Sequence, residues 1–154
     1  MSVPGLEAGI HVFFGLLALL TTAALISILY TGSQDKRLIK ILTIAVALFV
    51  WLSWFSVIHV YTVEYAADKA VIVKYEETEL AHELGMETKE HIFYSGLFLA
   101  TLLPILSYSI DLEKPWNRKL ILWIAIAVLI GGVMIEMIGG WISIAAKQAW
   151  AMER

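Results

Sequence analysis

The sequence predicts an all-α integral membrane protein, folded as an up-and-down bundle of four helices. Two observations carry this prediction. The chain has 154 residues, of which 60% are hydrophobic and 16% charged, and its mean hydropathy is +0.78. A soluble domain of this length does not carry so large an apolar fraction. The apolar residues also fall into four separate runs, which indicates a chain that crosses a membrane four times.

Each apolar run is long enough to span a bilayer as a helix. A run of about 20 residues, rising about 1.5 Å per residue, crosses a hydrocarbon layer of about 30 Å. Outside closed barrels only helices do this, because backbone polar groups must be satisfied within the segment. The predicted spans are residues 9–31, 38–63, 91–110 and 118–146, and they form a single domain over residues 1–154.

The charges of the connecting segments predict the orientation. The connections at residues 32–37 and 111–119 are short and concentrate lysine and arginine, whereas the long connection at residues 64–90 is rich in glutamate. Cytoplasmic loops of membrane proteins carry the excess of basic residues. We therefore expect a protein of a prokaryotic cell membrane, with both termini and the acidic loop 64–90 outside.

The composition excludes several kinds of function. The formal net charge is -3 and no basic stripe is present, so nucleic acid is not an expected partner. The absence of cysteine excludes disulfides, iron–sulfur clusters and covalent c-type haem attachment. Histidine and carboxylate side chains are then the ligands available to a metal ion.

Three histidines and one glutamate are predicted to lie in one layer near the outer face. His11, His59, His91 and Glu136 belong to four different spans. Each lies about 18–20 residues from the cytoplasmic end of its span, which places them at similar heights. The up-and-down topology sets His11 diagonal to His91, and His59 diagonal to Glu136. Ionisable side chains inside a membrane are costly and usually mark a functional site.

Small and polar residues share helix faces with these four groups. They are Gly15, Ala18 and Thr22 after His11, Ser56 before His59, Ser95 after His91, and Gly132, Gly140, Ser143 and Lys147 around Glu136. Such residues serve helix packing in most membrane proteins, and they can also leave room for a flat ligand.

A b-type haem is the first cofactor hypothesis. Haem iron in electron-transfer proteins takes two axial ligands, commonly histidines. His91 is the preferred ligand, with His11 or His59 on the opposite side of the ring. Glu136 is expected either to handle protons as the catalytic group or to support a ligand by hydrogen bonding. The predicted function is electron transfer or redox chemistry at one outward-facing haem.

Short motifs in three spans match a known kind of protein. They are Gly9-Ile10-His11-Val12-Phe13-Phe14-Gly15, Val57-Ile58-His59-Val60-Tyr61, and Glu90-His91-Ile92 with Pro104 further along. With these the chain resembles the small four-helix b-type membrane cytochromes, and also a family of histidine-bearing four-helix membrane proteins encoded near respiratory oxidases. The resemblance implies haem or copper handling in the respiratory chain. The cytoplasmic half of every span lacks histidine, so one haem is expected rather than two.

Two alternatives stay open. His11, His59, His91 and Glu136 together suit a bare ion of iron, copper, zinc or manganese in the core of a bundle. The chain could instead be a non-catalytic accessory subunit of a larger respiratory complex. Whether the protein is an enzyme is not predicted.

The expected partners follow from the membrane position and from the acidic loop. The lipid bilayer surrounds the bundle, and a quinone is a candidate ligand beside the haem. Residues 64–90 are either a solvated amphipathic helix on the membrane surface or a dock for a soluble cationic electron carrier, since surface charge steers association.

Overall fold

The computed structural model describes residues 6–154, with the side chains of residues 6, 7, 59, 63 and 64 left out of the description. The described chain is helical throughout apart from short connections. The elements are α1 (Leu6–Tyr30), α2 (Lys36–His59), the π-helical turn π1 (Val60–Glu64), α3 (Tyr65–Ile72), α4 (Glu76–Leu80), the π-helical turn π2 (Ala81–Met86), α5 (Glu87–Ser109) and α6 (Pro115–Met152).

Four long helices form the bundle, as the sequence predicts. α1 packs on α2, α2 on α5, α5 on α6, and α6 on α1, so the four make a closed ring in chain order. The segments that are long and apolar enough to cross a membrane are Ala8–Tyr30, Lys36–Thr62, Glu76–Ser109 and Pro115–Met152. The all-α membrane bundle is therefore confirmed, and α1 lies diagonal to α5.

Local signals in the sequence explain where these helices begin and end. Gly32 has a φ of +73°, which L-residues with a side chain rarely adopt, and it follows the end of α1. The Asp35 side chain accepts a hydrogen bond from the Leu38 amide at 2.9 Å and caps the start of α2. Pro115 stands at the first turn of α6, where its missing N–H costs nothing.

The third and fourth spans are longer than predicted. Helical structure continues from Glu76 to Ser109 and from Pro115 to Met152, which at about 1.5 Å per residue exceeds a bilayer core of about 30 Å. The connection 64–90 is largely helical, as one of its two sequence interpretations expects, but its apolar residues pack on the extended α6. We call the α3–α4–π2 segment the cap, the end of the bundle beneath it the cap end, and the other the loop end.

The cap packs on the last turns of α6 through a small apolar cluster. Its buried members are Val71, Ile72, Met86, Ile142, Ala146 and Ala149. Polar contacts at the rim join the same elements. Trp150 donates to Asp68 at 2.8 Å, and Lys74 pairs with Glu153 at 2.8 Å. The acidic residues Glu76, Glu77 and Glu83 stay exposed on the other side of the cap.

The loop-end half of the bundle holds the main apolar core. Its fully buried side chains include Leu25, Ile39, Leu103 and Ile121. One buried polar pair crosses this core: the hydroxyl groups of Thr43 and Ser107 lie 2.9 Å apart. The interior at this end is therefore packed with side chains, whereas the cap-end half contains the cavities.

Candidate functional site

Two atoms of Ser53 hold His11 against α2. The His11 Nδ1 lies 2.9 Å from the Ser53 carbonyl oxygen and 2.9 Å from its hydroxyl oxygen. The Ser53 hydroxyl group donates to the His11 carbonyl oxygen at 3.2 Å. Because a carbonyl oxygen only accepts, Nδ1 carries the ring proton, and the neutral imidazole keeps Nε2 as an acceptor.

Glu136 reaches α1 at the level of His11. A Cβ added to Gly15 would lie 3.0 Å from Glu136 Oε1, so the carboxyl group packs directly on the α1 backbone. One turn away, a Cβ on Gly132 would lie 2.7 Å from Leu19 Cδ2. These two glycines let α1 and α6 approach closely, which is the packing role of small residues in membrane helices. Glu136 also interacts electrostatically with His11.

Lys89 of α5 is a third ionisable group at this level, and the sequence interpretation does not include it. Its side chain is half-buried, and its Nζ lies 3.3 Å from the position that a Cβ on Gly139 would take. Lys89 interacts electrostatically with both Glu136 and His11. Three helices therefore contribute a base, an acid and a cation to one region inside the cap end.

The register of α5 explains why Lys89 is missed. The inward face of α5 recurs at helical spacing through Lys89, Phe93, Gly96, Ala100, Leu103 and Ser107. Counting this face back from the buried small residue Ala100 leads to Lys89. Counting from His91, as the histidine pattern suggests, selects a different face.

His91 lies on the exposed face of α5. Its Nδ1 is 2.7 Å from the carbonyl oxygen of Glu87, one turn earlier on the same helix, and Ser95 is also exposed. His91 lines neither of the two cavities described below. The predicted diagonal pair of His11 and His91 is therefore not formed, because His91 faces the outer surface of the bundle while His11 lines the cavities.

The other predicted faces are partly correct. Gly15, Ala18 and Thr22 follow His11 along the interior, as predicted. On α6, however, Gly140, Ser143 and Lys147 are exposed, and the inward face continues from Glu136 through Gly139 and Ile142. Ser56 donates to the Ser53 carbonyl oxygen within α2. The His59 side chain lies outside the described residues.

Two cavities meet at His11. The central cavity, of about 70 Å³, lies on the bundle axis, and the side cavity, of about 290 Å³, lies between α2 and α5 towards the cap. His11, Phe93 and Ile135 line both. The central cavity is otherwise lined by Gly15, Ala18, Leu19, Thr22, Val50, Ser53, Gly96, Leu97, Val128, Gly132 and Glu136. The side cavity is otherwise lined by Trp54, Val57, Ile58, Tyr61, Thr62, Met86, Lys89, Glu90 and Tyr94.

A series of contacting aromatic side chains lies where the side cavity approaches the cap. Tyr61 donates to the Glu90 carboxylate and stacks on Tyr65, with ring centroids 6.0 Å apart. The Tyr65 hydroxyl group is hydrogen bonded to His82 Nδ1 at 2.8 Å. Burial is the main reason that the pKa of Tyr65 is raised to about 12. Tyr61 lies in π1, and such π-helical turns often occur at functional sites.

The described residues do not fit a bis-histidine haem. His11 can offer Nε2, but His91 faces away, so the second ligand would have to be His59. The central cavity is also far smaller than the few hundred Å³ that an organic ligand usually fills, so a ring ligated by His11 would have to lie in the side cavity. Within the described side chains, no three histidine or acidic groups come close enough to hold a metal ion. The haem and metal hypotheses stay predictions that depend on His59.

Comparisons of the chain with protein-family models, with curated proteins and with solved structures give no match. The residues of the site are therefore the basis for a functional proposal.

Proposed function

We propose that the protein binds a small amphipathic molecule from the membrane in the side cavity. The ligand lies next to His11, which accepts a proton from it or returns one. The observation that carries this proposal is the meeting of the two cavities at His11, next to Glu136 and Lys89. Ligand sites are mostly apolar clefts with a few convergent polar groups, and the side cavity has this composition.

The neighbouring charges act on His11 in opposite senses, because Glu136 favours the imidazolium and Lys89 disfavours it. His11 therefore accepts a proton most readily from a ligand that is left with a negative charge beside Lys89. The Ser53 carbonyl oxygen directs the ring proton to Nδ1, so Nε2 receives any further proton. The resulting imidazolium would have Glu136 as its counter-charge, and Lys89 would balance a negative ligand. We therefore assign His11 as the base, Glu136 as its counter-ion and Lys89 as the cation that faces the ligand.

The membrane setting supports a ligand that comes from the lipid. The walls of the side cavity are aromatic, through Trp54, Phe93 and Tyr94, and Tyr94 is 61% exposed on the bundle surface. The loop-end half of the interior is filled by apolar side chains. The cavity thus lies near one face of the membrane, and the positive-inside rule predicts that this is the outer face.

Binding is tested with two neutral probes, 2-naphthol and its methyl ether 2-methoxynaphthalene. The chain has four histidines, so ¹⁵N-histidine NMR of the detergent-solubilised protein resolves His11 once the signals of the other three are assigned with His59→Gln, His82→Gln and His91→Gln. We expect a saturable shift of the His11 signals with at least one probe. In Phe93→Trp, which fills the junction of the cavities, affinity should fall about tenfold.

Phe98→Trp is the matched control. It makes the same substitution on the same helix, at a side chain that is 68% exposed, so probe binding should be unchanged. Shifts that never saturate, or that respond equally to both substitutions, would mean that the probes only partition into the detergent. The proposed function would then be wrong.

A further inference from the structure

We infer that the ligand of the side cavity carries a hydroxylated aromatic ring, the chemistry of phenols and hydroquinones, and that His11 Nε2 accepts its O–H group. This inference rests on the proposed function and names the ligand class. It follows from three properties of the site. These are the tautomer of His11, the absence of a hydrogen bond from any described residue to Nε2, and the aromatic walls of the side cavity.

The tautomer decides what kind of polar group the site recognises. Both Ser53 atoms at Nδ1 act as acceptors, because the Ser53 hydroxyl proton is directed to the His11 carbonyl oxygen. A neutral His11 therefore presents a lone pair at Nε2. A lone pair selects a hydrogen-bond donor and rejects a ligand that carries acceptors alone.

The described side chains leave this lone pair to a ligand. The hydrogen bonds of the His11 ring in the described structure all involve Nδ1. Glu136 and Lys89 interact with His11 electrostatically without a hydrogen bond to it. An acceptor without a donor in a partly buried site costs free energy. An O–H group that reaches Nε2 is therefore bound more strongly than an ether oxygen at the same place.

The walls of the side cavity favour an aromatic ring. Trp54, Phe93 and Tyr94 line it, and aromatic rings pack well against one another in offset or edge-on geometry. Its volume of about 290 Å³ lies near the lower end of the range for organic ligand sites. A substituted ring would fit there with its apolar part towards the lipid, and Tyr94 would lie at the opening.

Lys89 accounts for the other half of the chemistry. When the O–H bond of the ligand breaks, its proton moves to Nε2 and a phenolate oxygen remains. The Lys89 ammonium group lines the same cavity and stabilises that oxygen, while the Glu136 carboxylate stabilises the imidazolium. Each charge formed by the proton transfer thus has an opposite charge beside it: Lys89 for the phenolate and Glu136 for the imidazolium.

The matched probes test the ligand class, because 2-naphthol and 2-methoxynaphthalene differ only in the O–H group. We expect the phenol to bind wild type about five- to tenfold more tightly than the ether. The preference should disappear in His11→Phe, which keeps an aromatic side chain and removes the acceptor. Wild-type His11 Nε2 should also shift with the phenol and not with the ether, a result that does not require His11→Phe.

Each outcome distinguishes the two proposals. Equal affinities for the two probes at a site that Phe93→Trp blocks would overturn the hydroxylated ligand and leave the proposed function standing. Saturable binding of neither probe would overturn both. If His11→Phe fails to fold, the wild-type Nε2 shift alone decides, and a shift that is the same for phenol and ether refutes the inference.

Discussion

Gly15 is the residue at which packing and the proposed chemistry meet. It lies one turn after His11, and its missing side chain leaves room for the Glu136 carboxyl group and the Ser53 hydroxyl group. An added Cβ would lie 3.0 Å from Glu136 Oε1 and 3.7 Å from Ser53 Oγ. Any larger residue must therefore displace Glu136 or separate α1 from α6.

We predict that Gly15→Ala lowers the free energy of unfolding by about 1–3 kcal/mol, since it overpacks a tight helix contact. Gly140→Ala is the control, because nothing lies within 4 Å of its added Cβ, and there the better helix propensity of alanine should leave stability unchanged or raised. Unfolding in mixed detergent micelles measures both. Equal stability of the two variants would contradict the close contact.

His91 and Lys89 show how small a change of register decides the composition of a site. They are two residues apart on α5, which turns their side chains to opposite faces of the helix. Lys89 lines the side cavity, and His91 bonds to the Glu87 carbonyl oxygen on the exposed face. The sequence pattern therefore selects His91, whereas the packing of the bundle places Lys89 at the cavity.

At the scale of elements, the cap is a small folded unit that depends on half-buried polar contacts as well as on its apolar cluster. Tyr65 joins α3 to π2 through His82, and its ring stacks on Tyr61 of π1. The raised pKa of Tyr65, about 12 against an ordinary value of 10.0, means that the folded cap favours the neutral phenol. The neutral hydroxyl group is the form that can donate a hydrogen bond within the cap.

We predict that the stability contributed by Tyr65 is present below pH 10 and is lost as the pH rises from 10 towards 12. The sign follows from the raised pKa, because deprotonation is easier in the unfolded chain. Tyrosinate absorbance during alkaline titration should include a late-titrating component, and Tyr65→Phe should reduce that component by one tyrosine. An identical titration of the two proteins would count against the buried phenol.

At the scale of the whole molecule, Arg118 joins the two short connections at the loop end. It is 8% exposed and donates to the carbonyl oxygens of Leu112 and Ser33 and to the side chain of Gln34. One guanidinium group thus links the α1–α2 connection with the α5–α6 connection. This holds together the ends of all four bundle helices, opposite the cavities.

We predict that Arg118→Lys destabilises the bundle by about 2–4 kcal/mol, because an ammonium group cannot make the forked set of hydrogen bonds. Arg37→Lys makes the same change at an exposed position and should alter stability by less than about 0.5 kcal/mol. Detergent unfolding compares them. If both variants were equally stable, Arg118 would not be the link between the connections.

The orientation of the molecule is a further prediction at this scale. The chain has no cysteine, so single cysteines report on sidedness without background. We expect a membrane-impermeant maleimide to label Glu77→Cys of the cap on intact cells, and to label Glu113→Cys of the loop end only after permeabilisation. The reverse pattern would place the cavities on the cytoplasmic side.

The sequence by itself determined the architecture, because long apolar runs have one stable form in lipid and short connections force neighbouring helices to be antiparallel. It also placed His11, Gly15 and Thr22 on one interior face, since the spacing of small residues on α1 is unambiguous. The sequence also indicates Glu136, for a different reason: it is a carboxyl group in the middle of an apolar run.

Only the tertiary structure decided which groups meet. The rotation of α5 about its axis depends on packing against α2 and α6. This rotation places Lys89 at the side cavity, where the sequence predicts His91. The extended α6 gave the acidic segment an apolar partner, so a segment expected as a solvated amphipathic helix packs on the bundle as the cap. The contact with Ser53 likewise set the tautomer of His11, because hydrogen bonds between helices are made after the helices pack.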